Sequence, residues 1–287
     1  MSRATPLRLL SLALCLLPSC SGGSEAGAAP AAAGQAPAQS DVERDLRDLM
    51  SAVTALPPTA TAIQESDWYA RRKQTLERLR GASHEFGLAA LASYAENAGA
   101  SREVRAGLLD VGSHCAPEEA RPTLVALVTT FGDDLGVRKG AVRFLAQTSP
   151  DTAIELLEPL LVTTEHAATY PPADALLESY VLAADATKRD PTRVLTTVST
   201  DLRQTDAARS FAIKELGKRP TPAGRQALEA VLVESLGNNL TRRYAAQSLQ
   251  ATLQKEELCP LLKRVYENEA DIGFQQFLAS MLEESCY

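Results

Sequence analysis

Leucines recur at a spacing of 33 residues: Leu91, Leu124, Leu157, then Leu195, Leu228 and Leu261, with one step of 38 between 157 and 195. No single helix or strand of an ordinary domain generates so long a period, so one supersecondary unit is copied along the chain. A second column keeps the same rhythm through Arg72, Arg105, Arg138, Leu176, Arg209, Arg242 and Gln275, and its one step of 38 runs from 138 to 176. Two columns that share one insertion fix the register of the copies.

Inside a unit the pattern is helical. Between residues 119 and 149, Leu124, Leu127 and Val128 fall at i, i+3 and i+4, which is one apolar stripe. Pro122 is expected in the first turn of that helix, where its missing N–H costs nothing. Gly132, Asp133 and Asp134 are expected to stop it. A second helix is expected from near Val137, with Val142 and Leu145 facing inward. Pro150 follows it, and Ser149 or Asp151 stands where the next helix needs a cap.

Counting from the second column, position +4 holds Leu76, Leu109, Val142, Tyr180, Ile213, Ala246 and Ala279. Position +7 holds Leu79, Gly112, Leu145, Ala183, Leu216, Leu249 and Leu282. Nearly all are apolar, as two stacked turns facing a core require, and strand-like alternation is absent. Six hairpins are expected from about Glu85 onward. Another precedes them, from Asp41 to Leu56 and from Ser66 to Arg80, so residues 41–287 hold six to seven helix pairs. A lone hairpin cannot bury its own stripe, but stacked neighbours bury it jointly. The expected fold is all-α: a right-handed α-solenoid of stacked antiparallel helix hairpins.

The segment Asp134, Val137, Arg138 and Ala141 resembles the signature of HEAT repeats, and Ser101 to Ala106 and Asp206 to Arg209 follow it in part. The resemblance covers nearly all of the chain after residue 40. It implies that the ladder Arg72, Arg105, Arg138, Arg209 and Arg242 is structural, each arginine pairing with a loop aspartate such as Asp67, Asp134 or Asp206. Leu176 and Gln275 interrupt that ladder.

Residues 1–19 read as an export signal: Arg3 and Arg8 precede an apolar run from Leu9 to Leu17 that is too short to span a bilayer. The run ends in Leu17, Pro18, Ser19 and Cys20, which resembles the lipobox of bacterial lipoproteins. That resemblance implies lipidation at Cys20 and attachment to the membrane through it alone. Ser21 stands where an aspartate would imply inner-membrane retention, so the periplasm-facing outer membrane is expected. Residues 20–40 are almost entirely Ala, Gly, Ser, Pro and Gln and have nothing to bury, so they read as a tether.

The formal charge is −7, and loss of Arg3 and Arg8 with the signal takes it to −9. That balance argues against a nucleic acid partner. After export and lipidation Cys115, Cys259 and Cys286 remain, an odd number. Cys259 and Cys286 lie on the last helix pair but at unequal distances from its turn, so buried thiols are expected in preference to a bridge.

Catalytic signatures are missing. His84, His114 and His166 fall in different units, and no metal-ligand spacing, nucleophile elbow or phosphate loop is present. No catalytic residue, metal or cofactor is expected. One and five positions past the second column, Lys139, Arg143, Lys214, Arg243 and Gln247 share an exposed stripe of the second helices. This stripe is the candidate partner-binding surface, and the long connection 164–174 is a further candidate. The expected function is a protein- or peptide-binding adaptor of the cell envelope. The alternatives are an assembly scaffold of an envelope complex and, by resemblance alone, a HEAT-like lyase. The sequence sets no oligomeric state.

Overall fold

Each copy of the repeat is a pair of antiparallel helices. A computed structural model describes residues 39–54, 56, 59–130, 134–163, 172–234 and 238–287. The first helices of the pairs are α1 (Gln39–Val53), α3 (His84–Glu96), α5 (Pro117–Thr129), α7 (Pro150–Val162), α9 (Thr192–Thr200), α11 (Pro222–Val233) and α13 (Lys255–Glu267). The second helices are α2 (Ala62–Leu79), α4 (Arg102–Cys115), α6 (Leu135–Thr148), α8 (Ala173–Thr187), α10 (Asp206–Lys218), α12 (Asn239–Thr252) and α14 (Ile272–Cys286). The fold is an all-α solenoid, and no strand occurs among the described residues. The signal and nearly all of the tether lie outside the described residues. Gln39 and Ser40, assigned to the tether from sequence, already belong to α1.

The second helices form the continuous layer: α2 touches α4, α4 touches α6, and so on to α14. The leucine column occupies equivalent places on the first helices, with Leu124, Leu157, Leu195 and Leu228 at most 1% exposed. Burying such a side chain contributes about 2 kcal/mol, and one shared core does this for every pair. At Gly112 a Cβ would lie 2.7 Å from Leu91 Cδ2, so a larger residue at this column position would force the Leu91 side chain to shift.

A third column governs where the second helices begin. Ser101, Asp134, Thr205, Asn238 and Asp271 each cap one through a side-chain oxygen. All lie four residues before the arginine column; Pro172 breaks the set at α8, and Trp68 holds that place in α2. Each such cap contributes about 1 kcal/mol.

Local corrections follow from the chain's actual boundaries. Pro117, not Pro122, occupies the first turn of α5; Pro122 lies inside that helix on its exposed side. Ser149 stands at the start of α7 without capping it, because its hydroxyl accepts from Arg121 Nε at 3.3 Å. The α2 helix begins at Ala62 with a capping box from Thr61 and Gln64, earlier than the expected Ser66. Relative to the cap column it starts seven residues early, an overhang of about 10 Å.

The largest correction concerns the cysteines. Cys259 and Cys286 form a disulfide with a Cα separation of 5.7 Å, and among the described residues Cys115 is the free thiol. Counting residues from the turn assumed that α13 and α14 lie level. The observed packing instead brings the end of α14 over the first turns of α13, and Gln250 Nε2 on α12 donates to Ser285 Oγ at 2.7 Å.

Candidate functional site

Every first helix ends with carbonyl oxygens that have no partner in their own helix. The ladder arginines satisfy them. Arg138 donates from Nε to Leu127 O at 3.0 Å, Arg209 to Ser199 O at 3.0 Å, and Arg242 to Leu232 O at 3.1 Å. Arg209 and Arg242 also reach forward to Glu234 and Glu269 of the following pair. These guanidiniums are at most 5% exposed, so paired acceptors are a condition of their burial. The carboxylate expected from the loop aspartates is corrected at Arg209: its partner is Glu234, while Asp206 accepts from Asn238 Nδ2 at 2.7 Å.

The interruptions of the ladder are filled. Gln275 donates to Tyr266 O at 3.3 Å, so it replaces the arginine without breaking the pattern. Where Leu176 offers no donor, Gln204 from the next connection donates to Leu161 O at 3.2 Å. Arg105 lies over the Tyr94 ring and donates to its hydroxyl at 2.9 Å. At the first pair the indole of Trp68 donates to Thr54 O at 3.0 Å. The ladder is therefore a set of helix-end caps supplied by whatever donor reaches.

The basic stripe divides. Lys139 and Arg143, one turn apart on α6, line an open groove of roughly 820 Å³ across α6, α8 and α10. Neither forms an ion pair among the described residues. Asp174 and Glu178, one turn apart on α8, face the same groove and are likewise unpaired there. Leu182, 39% exposed, and Phe211 contribute apolar surface between them. The groove closes at one end in a network where Arg219 holds Asp185 at 2.7 Å and also Glu215, which in turn holds Lys218. Burial pushes the Glu215 carboxyl up, but these two cations outweigh it and hold it below the usual carboxylate range.

Lys214, Arg243 and Gln247 lie outside that groove. Lys214 Nζ sits 3.9 Å from the Tyr244 ring centre, and Arg243 lies over Phe277 while donating to Gly273 O at 3.2 Å. Gln247 is exposed. So the expected single basic face is interleaved with the acids of α8, and only two of its cations remain uncommitted. The long connection lies outside the described residues over 164–171.

A buried polar cluster that the sequence reading passed over joins α2 to α4. Arg80 donates twice to Asp110, at 2.9 and 2.7 Å, and His114 Nδ1 lies 3.2 Å from the same carboxylate. Burial pushes Asp110 up, but hydrogen bonds from His114 and Arg80 more than offset it and hold its carboxyl low. Cys115 beside it donates to Leu79 O at 3.1 Å, and burial raises its thiol pKa, which keeps it protonated and unreactive. The cluster ties two pairs together.

Among the described residues no group of three His, Cys, Asp or Glu side chains gathers as a metal site, and no helix is long and apolar enough to cross a membrane. No family model, curated protein or solved structure matches the chain.

Proposed function

We propose that this chain is a lipid-anchored, non-catalytic adaptor of the cell envelope, a HEAT-like solenoid that holds a protein or peptide partner. The groove across α6, α8 and α10 carries the reading. Two unpaired cations line one wall, two unpaired acids line the other, and apolar surface lies between. Other charges are matched between neighbouring pairs, as Arg193 is with Glu158 and Arg225 with Glu257. Charges left unmatched in one place favour a partner with the reciprocal arrangement.

Two observations support the address. The Leu17 to Cys20 segment is similar to a lipobox, so acylated Cys20 would be the only membrane contact. The Cys259–Cys286 disulfide supports export, because such bridges persist in oxidising compartments. The outer membrane, with the solenoid facing the periplasm, is the proposed site.

Metabolic labelling with an alkyne fatty acid tests the anchor, and the label is expected to vanish in Cys20→Ser. A photo-crosslinking amino acid tests the groove when placed at Gln147, on its wall, and at Glu155, on α7. Discrete adducts are expected from position 147 alone and are expected to be lost with Lys139→Glu and Arg143→Glu together. Identical adducts from both positions, or none, would defeat the adaptor reading.

A further inference from the structure

We infer that the cleft beside the α2 overhang binds a free carboxylate carried on an aromatic or apolar body. The argument begins with what Arg72 is not doing. At the equivalent position Arg138, Arg209 and Arg242 are occupied with the carbonyl ends of α5, α9 and α11. At the first pair that task already belongs to Trp68, four residues earlier, whose indole takes Thr54 O. Arg72 keeps its ladder position without the ladder bond. It is half-buried, its guanidinium carbon sits 5.3 Å from the Trp68 ring centre, and its Nε is buried with no hydrogen-bond partner. The Nε is shut off from solvent, so a ligand in the cleft would be taken by the terminal N–H groups, which make no hydrogen bond or ion pair among the described residues.

The surroundings select the ligand. Arg72 lines an open cleft of roughly 450 Å³ with Leu56, Trp68 and Tyr69. Tyr69 is 60% exposed and offers both a ring face and a hydroxyl. A guanidinium lying over a ring leaves its in-plane N–H groups for a planar two-oxygen acceptor, the fork geometry that matches a carboxylate. Glu65 and Glu103 also line the cleft, and Arg102 is engaged by Glu103 at 3.0 Å. Those two acids disfavour a phosphate dianion far more than a monoanion. The site is separate from the α6–α8–α10 groove and does not depend on the adaptor reading.

Trp68 is the chain's only tryptophan and lines this cleft, so its emission responds to a ligand there, and the Arg72 variants separate that response from the neighbouring cleft on the Arg71 side. The purified full-length chain in detergent would be titrated with N-acetylphenylalanine, with N-acetylphenylalanine amide and with inorganic phosphate, while calorimetry runs in parallel. Saturable binding of the acid is expected with a dissociation constant of roughly 1 mM or tighter, a range ordinary for so small a ligand. The amide and phosphate are expected to bind at least tenfold more weakly. Arg72→Gln should abolish the response, Arg72→Lys should weaken it, and Lys263→Gln on α13 should leave it intact. The inference is overturned if neither emission nor heat reports binding of the acid, if amide or phosphate binds as well, or if Arg72→Gln binds unchanged. Far-UV circular dichroism confirms that each variant is folded.

Discussion

The two ends of the solenoid solve one problem in different ways. An end pair has a neighbour on one side only, so its helices bury less and fray more easily. At the C-terminal end α13 and α14 are joined covalently through Cys259 and Cys286, and the carbonyl end of α13 is met by Gln275. At the N-terminal end there is no covalent link among the described residues. Instead α2 is extended, Trp68 anchors it to the end of α1, and Arg78 bridges back to Asp45 at 3.0 Å and Asp48 at 2.9 Å. The last pair is closed covalently, although an open cleft of roughly 550 Å³ remains between it and the pair before it. The other end is held by an aromatic side chain and leaves Arg72 and Tyr69 facing a cleft, so closure and binding surface trade against each other there.

Variants can break or sharpen this comparison. The largest effect is expected in the interior, where both neighbours depend on one side chain. Arg209→Ala strips the end of α9 of its donor and leaves Glu234 without its cation, and should cost about 3–5 kcal/mol in chemical denaturation. If that loss falls below about 1 kcal/mol, the ladder is not a structural necessity.

Opening the disulfide comes next. Residues 259 and 286 are 27 apart, and loop-closure entropy for such a loop corresponds to about 3.5 kcal/mol. Cys259→Ser with Cys286→Ser should speed amide exchange in α13 and α14 and leave α3 to α6 unchanged. Exchange that rises evenly along the chain would show that the bridge is not a local device.

Asp110→Asn should cost about 2 kcal/mol, because the buried Arg80 pairing loses its charge. The Asp110 carboxyl is depressed in the folded chain, so its contribution is full above its unfolded value, about 3.9. It is lost as pH falls through the lower folded value. The wild-type chain should therefore lose stability in acid more steeply than Asp110→Asn, and parallel acid curves would refute the assignment.

Smallest is Gln204→Ala, expected to cost about 1 kcal/mol by freeing Leu161 O. Restoring the ladder with Leu176→Arg in that background distinguishes a generic cap from a position-specific one. Recovered stability is expected if any donor at the end of α7 suffices.

Much of the architecture was legible in the chain. Leu124, Leu157, Leu195 and Leu228 are buried at matching places, and the insertion falls between α6 and α8, where two columns located it. The site was only half legible. Lys139 and Arg143 do share a wall, but Asp174 and Glu178 of α8 stand across from them, and Lys214 and Arg243 are taken up by Tyr244 and Phe277. A stripe on one helix is set by that helix's own spacing, whereas what faces it comes from the next repeat.

The same division runs through the whole molecule. Helix rise, turn residues and apolar spacing are local, so the sequence by itself determined the period, the pairing of helices and the inward faces. Which donor closes which helix end depends on how neighbouring pairs dock. That is why Gln204 serves Leu161 from 43 residues away, why Trp68 displaces Arg72, and why Cys259 meets Cys286. Only tertiary packing sets those distances, and a shift of one helical turn along an axis, about 5.4 Å, is enough to make or break each contact.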